Sequence, residues 1–241
     1  MMNMKYTVQF SREKDDIGKA QAFRGLLFRG GAHDCDVLDD VAIHGLIHAR
    51  NGELVSVFRM IPFETAEALD QSYSAQFYDL ADIKKIGGRA LELGRFCIHP
   101  EYTDPDIVRL AWAELTKFVL DHDIDLLFGC SSFHGSDVDV HSEALALLKE
   151  RHLAPNGLMP LIKAPKVFEF AKKFKFRKPD LQLAQKAMPP LLRSYLLMGG
   201  WVSDHAVVDH DLNTVHVFTG VEVKKIPPAR RRLFAGLLAR S

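Results

Sequence analysis

Apolar side chains alternate at Tyr6, Val8 and Phe10, the period of an extended strand, and then recur at helical spacing through Ile17, Ala20, Phe23 and Leu27 until Gly30 and Gly31 end the run. Residues 41–48 and 54–61 read as two strands joined across Asn51 and Gly52, a dipeptide that tolerates the positive backbone angles of a tight hairpin turn. Residues 89–99 predict a fourth strand in which Gly94 marks a bulge or a close backbone approach. Asp104 and Pro105 then supply a helix cap and a first-turn proline, and Ile107, Ala111, Leu115, Phe118 and Val119 share the buried face of a helix ending near Asp121. Residues 126–130 predict a buried fifth strand, Ser142–Arg151 a further helix, Pro189 and Pro190 precede a short helix through Leu197, and residues 215–223 predict a late strand. A strand, capped helix and strand in sequence make a right-handed crossover, so the strands around Glu92 and Leu127 are expected to be parallel neighbours, whereas the first hairpin is antiparallel. The fold class is therefore α/β or α+β with a mixed sheet. Residues 1–160 are expected to form the core, and residues 161–241 a carboxy-terminal extension completing the same domain.

Composition narrows the class. Lys plus Arg (31) balance Asp plus Glu (31), but residues 1–160 hold 16 basic and 25 acidic groups while residues 161–241 hold 15 and 6. A uniformly basic nucleic-acid binder is disfavoured, and a local basic face toward an acidic partner remains open. The first residues lack the apolar core of a secretory signal, and no stretch reaches about 18 uninterrupted apolar residues, so a helical membrane span is not expected. Cys35, Cys97 and Cys130 form no CxxC pair, as expected of reduced thiols in a cytoplasm.

Three clusters could carry chemistry. Asp34, Asp36, Asp39 and Asp40 lack the glycine and terminal glutamate of a calcium loop, so they read either as a solvated acidic loop or as an attractor of a cationic substrate. Glu92 and Arg95 would lie on opposite faces of a regular strand, and a bulge at Gly94 would let both address one site; a charge pair at a sheet edge is the alternative. Arg59 could face the same cavity, where its planar guanidinium suits a carboxylate. The run Gly129-Cys130-Ser131-Ser132-Phe133-His134 offers a thiol, hydroxyls and an imidazole, but a cysteine in a buried strand more often behaves as a small hydrophobe than as a nucleophile. His44 and His48 on a strand do not make a metal site, and none is expected.

The order Arg24, Asp36, Asp39, Arg59, Glu92, Gly94, Arg95, Phe96 resembles the pattern of acyl-homoserine-lactone synthases, members of the GNAT acyltransferase fold. A resemblance covering nearly the whole chain is to bacterial ornithine-lipid N-acyltransferases, sometimes called hemolysin-like. It is carried by LELGRFCIHP (91–100), LFGCSSF (127–133), RHLAP (151–155) and PPLLRSYLLMGGWVSDHAVVDHDLNTVHVF (189–218). It implies a mainly antiparallel sheet with helices on both faces and splayed central strands, and transfer of a 3-hydroxyacyl group from acyl carrier protein to the α-amino group of ornithine. No bound cofactor is implied, only the 4'-phosphopantetheine arm of the carrier. Acetyl-CoA users of this fold hold a pyrophosphate on a glycine-rich helix start. Here that position reads Tyr102-Thr103-Asp104-Pro105-Asp106, where proline lacks an N–H and two aspartates repel phosphate, which favours a carrier-bound donor.

An α-ammonium must lose a proton before attacking a thioester, and Glu92 is the expected base, with Arg95 beside it. Arg59 and Arg95 are expected to orient the amino-acid carboxylate or polarise the carbonyl. Asp36 and Asp39 are expected to bind the distal ammonium or order the loop, and Arg24 to tie that loop to the first helix. Gly94, Phe96, Cys130 and Ser131 complete the expected substrate-binding set. Lys163, Lys166, Lys172, Lys173, Lys175, Arg177 and Lys178 would dock the acidic carrier, with a solvated loop or anionic lipid as the competing readings. Residues 230–238 would form a short amphipathic helix at the inner face of the cytoplasmic membrane. Alternatives are acylation of glutamine or another amino acid, a homoserine-lactone synthase, a non-catalytic carrier- or membrane-binding module, or a hemolysin.

Overall fold

A computed structural model describes residues 5–227; the expected helix at 230–238 lies outside the described residues. Along the chain the elements are β1 (Tyr6–Ser11), α1 (Lys14–Phe28), β2 (Ile43–Ala49), β3 (Leu54–Phe63), β4 (Tyr78–Asp79), β5 (Arg89–Ile98), α2 (Pro105–Asp121) and β6 (Ile124–His134). They continue with α3 (Ser142–Arg151), β7 (Leu161–Ile162), β8 (Val167–Phe168), α4 (Phe170–Lys173), α5 (Leu181–Ala187), α6 (Pro190–Leu197), β9 (Trp201–Val202), β10 (Ala206–Asp209) and β11 (Thr214–Glu222). These divide into two compact units that interleave in sequence. The first contains the chain up to Pro62 and Leu91–Ile124, the second Phe63–Ala90 and Asp125–Pro227.

In the first unit the strands run in the order β1-β2-β3-β5. β1 and β2 pair antiparallel from Tyr6↔Ala49 to Ser11↔His44, and β2 and β3 from Ile43↔Met60 to His48↔Leu54 with an irregularity at Ile47/His48. The hairpin closes through Arg50-Asn51-Gly52, with the Ala49 N–H donating to the Glu53 carbonyl and φ positive at Gly52 (+85°) but not at Asn51, a longer loop than the two-residue Asn-Gly turn expected. Alternation along β3 sends Val57 and Phe58 to opposite faces. Val57 joins Leu46 and Cys97 beneath Ala20 and Phe23 of α1. Phe58 stacks on Phe96 at 5.5 Å and meets Phe10, whose ring lies 6.1 Å from Phe118 of α2. A Cβ at position 45 would collide with the Phe58 ring, so Gly45 lets β2 pass beneath that aromatic stack. α2 buries Ile107, Ala111, Trp112 and Leu115, and each large apolar side chain so removed from water contributes roughly 1.5–3 kcal/mol.

The second unit is built on β6-β11-β10-β8, all antiparallel, with β6 and β11 paired from Thr214↔His134 to Glu222↔Leu126. Its core gathers Phe133, Leu145, Leu148, Phe170, Leu192, Val215 and Val217 from sheet and helices. β4 and β7 make a separate two-stranded ladder.

The expected bounds shift in two informative places. β2 starts at Ile43, because a 3-10 turn over Val37–Asp40 takes the residues before it. β6 runs on to His134, so the run from Cys130 to His134 is strand and not an exposed strand end.

Candidate active site

The acidic segment after α1 is shaped by its own backbone. Gly25 of α1 lies so close to the Ala32 carbonyl that a Cβ would overlap it, which lets the chain fold back against the helix that carries Arg24. Asp36 then caps the 3-10 turn: its Oδ1 accepts from the Leu38 N–H (2.9 Å), and the Asp39 carboxylate accepts from the Asp36 N–H (3.2 Å), a reciprocal capping box.

These carboxylates meet three arginines from α1, β3 and β5. Arg24 donates to Asp34 Oδ2 (2.9 Å), to the Asp34 carbonyl (2.6 Å) and to Asp39 Oδ2 (2.8 Å). Arg59 Nη1 donates to Asp36 Oδ1 (2.6 Å) and Asp39 Oδ1 (2.9 Å). Arg95 lies 3.1 Å from Asp34 Oδ2 and 3.4 Å from Asp36 Oδ2. Gln21 adds a fourth donor to Asp39 at 3.0 Å, and Arg29 reaches Asp34 at 3.2 Å. Arg24, Asp34, Asp39 and Arg59 are each at most 2% exposed, whereas the Asp36 side chain keeps 28%.

Desolvation opposes charge at Asp39, but the hydrogen bonds and attraction of Arg24, with Gln21 and Arg59, hold its carboxyl well below the usual carboxylate range. Arg59 shows the complementary balance: burial works against its charge, and Asp36 and Asp39 overcome it, raising its pKa. His44 packs beneath, its Nε2–H directed to the Asp39 carbonyl at 3.2 Å. Its pKa is lowered, first by burial and then by Arg24 and Arg59 against the opposing pull of Asp39, so it stays neutral.

On β5, Arg95 adopts φ +53°, a left-handed conformation inside a strand, so the break in regular alternation falls on the residue after Gly94. That geometry aims the guanidinium of Arg95 at Asp34 and Asp36 while Phe96 stacks on Phe58. Glu92, three residues earlier, is 2% exposed, a carboxyl withdrawn from solvent on the strand that carries Arg95. Cys97 faces α1, and burial pushes its thiol up to about 12, which removes it as a nucleophile.

The remaining expected site residues belong to the second unit. Cys130 on β6 is half-buried, with Sγ 3.5 Å from Ser74 Oγ, and Ser131 Oγ accepts from the Thr219 hydroxyl at 2.9 Å. Lys163 and Lys166 lie on the segment between β7 and β8, and Lys172, Lys173, Lys175, Arg177 and Lys178 on α4 and the turn after it. Among the described residues no group of three or more His, Cys, Asp or Glu side chains could hold a metal ion, and no helix is long and apolar enough to cross a membrane.

The chain is 31% identical to the L-ornithine N(alpha)-acyltransferase of Rhodobacter capsulatus, an alignment covering 96% of this chain and 95% of that one. It belongs to the L-ornithine Nα-acyltransferase family. The Agrobacterium fabrum member is 32% identical over 80% of this chain and 68% of its own. Residues 21–113 match the acetyltransferase (GNAT) domain model. Among solved structures, the CoA-dependent acyl-homoserine lactone synthase MesI shares the fold, with a TM-score of 0.50, 10% identity and coverage of 98% of this chain and 96% of that one. This member of the L-ornithine Nα-acyltransferase family is thus an acyltransferase on a GNAT-like fold, and the matched GNAT segment contains Arg24, Asp34, Asp36, Asp39, Arg59, Glu92 and Arg95.

Sequence reasoning had singled out five members of the charged network and had grouped Asp34 with the acidic loop alone. It missed Gln21 and Arg29, and it weighed His44 as a metal ligand and not as a support for Asp39. Arg29 falls five residues before Asp34, a spacing that gives no helical signal once Gly30 and Gly31 end α1.

Proposed function

We propose that the chain transfers a 3-hydroxyacyl group from acyl carrier protein to the α-amino group of ornithine, giving a lyso-ornithine lipid. Family membership across 96% of the chain, with a relative named for that acceptor, is the observation that carries the reading. The buried Glu92 takes a proton from the α-ammonium, directly or through water. The free amine attacks the thioester carbonyl, the C–S bond breaks as the tetrahedral intermediate collapses to the amide, and the proton that the nitrogen gives up goes to the departing pantetheine thiolate. The Arg24–Asp34–Asp39–Arg59 set is assigned a positioning role, because its charges are spent on one another. Asp36, the member with an exposed edge, is assigned the contact with the distal ammonium of ornithine, and Arg95 the contact with the substrate carboxylate.

The start of α2 supports a carrier-bound donor. Asp104 Oδ1 accepts from the Asp106 N–H at 3.0 Å, Asp104 also binds Lys5 and Tyr6, and Pro105 has no N–H to give. A pyrophosphate there would meet two carboxylates in place of free donors. Of the seven basic residues expected to meet the acidic carrier, Lys163 and Lys166 are assigned to it; Lys172 and Arg177 pair with Glu169 and Glu143, and Lys173, Lys175 and Lys178 are considered separately below.

The test is purified protein with 3-hydroxyacyl carrier protein or the matching acyl-CoA, against a panel of amino acids, following thiol release and the mass of the product. Ornithine with carrier protein is expected to turn over fastest, and Glu92→Gln to lower kcat by about a hundredfold or more at unchanged fold. Wild-type turnover in Glu92→Gln would remove the base assignment, and preference for acyl-CoA the donor assignment.

A further inference from the structure

Phe176 is 91% exposed, the highest among the described large hydrophobic residues, yet it sits in a turn between α4 and α5. The turn is anchored on either side of it. Phe174 packs against the core of the second unit and meets Phe168 edge-on at 5.5 Å, and Arg177 lies over the Phe174 ring at 5.1 Å and pairs with Glu143 at 2.5 Å. Lys175 Nζ lies 5.4 Å from the Phe176 centroid, Lys173 is exposed with its Nζ 5.3 Å from the Phe168 centroid, and Lys178 is exposed two residues on.

The nearby acids are already engaged. Glu143 serves Arg177, Glu169 lies 3.8 Å from Lys172, and Asp180 caps α5 by accepting from the Gln182 and Leu183 N–H groups. Lys173, Lys175 and Lys178 make no ion pair among the described residues. Leu183 of α5, 56% exposed, extends the apolar character of the same stretch of chain.

We propose that this surface docks the protein on an anionic lipid bilayer, with Phe176 entering below the phosphates and Lys173, Lys175 and Lys178 lying against them. An apolar ring flanked by lysines suits the bilayer boundary, where the ring enters the acyl region and the ammonium groups stay with the headgroups. A folded partner would need a pocket shaped for a protruding ring, whereas a bilayer admits it without complementarity. The proposal rests on the proposed function only for its purpose, because an acylated amino acid is an amphiphile that partitions into lipid.

The experiment is co-sedimentation of the full chain with phosphatidylcholine vesicles, with and without phosphatidylglycerol, at rising salt. Binding is expected with phosphatidylglycerol, weakening as salt screens the lysines, and little binding without it. Phe176→Ala should lower the partition coefficient about tenfold, and each of Lys173→Glu, Lys175→Glu and Lys178→Glu about fivefold or more. Thermal melts matching wild type would show that the variants fold, and Phe176→Ala should leave kcat and the carrier KM unchanged. The proposal falls if the wild-type chain ignores anionic vesicles, if Phe176→Ala binds them as wild type does, or if Phe176→Ala raises the carrier KM with vesicle binding intact, which would assign the surface to the carrier. A chain that binds vesicles but does not acylate ornithine would refute the proposed acceptor and leave the docking surface standing.

Discussion

Replacing Asp39 with asparagine keeps the shape of the side chain, removes one buried charge and turns an acceptor into a donor. Asp39 accepts from Gln21, Arg24 and the Asp36 N–H through Oδ2 and from Arg59 through Oδ1. With the amide oxygen on the more crowded side, the NH2 group of the variant faces the Arg59 guanidinium, donor against donor, and the buried arginines lose one compensating charge. Breaking a buried ion pair by removing one partner costs roughly 3–5 kcal/mol, a large part of the roughly 5–15 kcal/mol that holds a typical domain folded. Urea denaturation at neutral pH measures the loss, and the exposed neighbour in Asp40→Asn serves as the control that should change little. The acid limb gives a second reading. The folded-state pKa of Asp39 is depressed, so its contribution is present above the ordinary carboxylate pKa and is lost as pH falls through the folded value. The gap between wild type and Asp39→Asn should therefore be constant near neutrality and shrink in acid. A neutral-pH loss under about 1 kcal/mol, far below the cost of a broken buried pair, or an equal loss in Asp40→Asn, would refute the account.

Two further outcomes follow from other parts of the chain. Gly25→Ala should destabilise the first unit by roughly 1–3 kcal/mol, because the new methyl group overlaps the Ala32 carbonyl, and it should lower kcat/KM by displacing the segment that carries Asp34 and Asp36; unchanged urea midpoint and activity would remove that close approach from the argument. His216 is 2% exposed, and burial, aided by His205 against the pull of Asp209, lowers its pKa to about 4. Its folded pKa lies below the ordinary value near 6.5, so the unfolded chain binds the proton first and stability falls between about pH 6.5 and 4, by about 3 kcal/mol in all. Urea midpoints across that window should slope less in His216→Gln than in wild type; equal slopes would show that another group titrates there.

The elements with a strong local signal were legible. α2 begins at Pro105 and ends at Asp121, as its cap and apolar face predict, α3 keeps its expected span, and α6 ends at Leu197 as expected while taking in Pro190 as its first residue, because in each case the signal lies within one helix. The segment between Phe63 and Arg89 was not legible: its 3-10 turns and the two-residue strand β4 are fixed by tertiary contacts, such as the bonds from Tyr78 to the carbonyl and Nδ1 of His216, that no periodicity announces. β8 is likewise a two-residue strand whose partner, β10, lies far along the chain.

At the site, the residue types were legible but their pairing was not. An acidic run shows the same alternation whether its carboxylates face solvent or guanidinium groups, and here the partners of Asp36 stand 23 and 59 residues away at Arg59 and Arg95. Arg24, Arg59 and Arg95 neutralise Asp34, Asp36 and Asp39 within the first unit, so the acidic loop cannot act on a cationic amino acid through a net field. Under the proposed function, selection of the acceptor must then work at short range, through the exposed edge of Asp36. An acceptor lacking the distal ammonium should lose that contact and keep the one to Arg95. Asp36→Asn should therefore narrow the gap in kcat/KM between ornithine and an uncharged amino acid, and a gap that stays at its wild-type size would place the specificity elsewhere than on this loop.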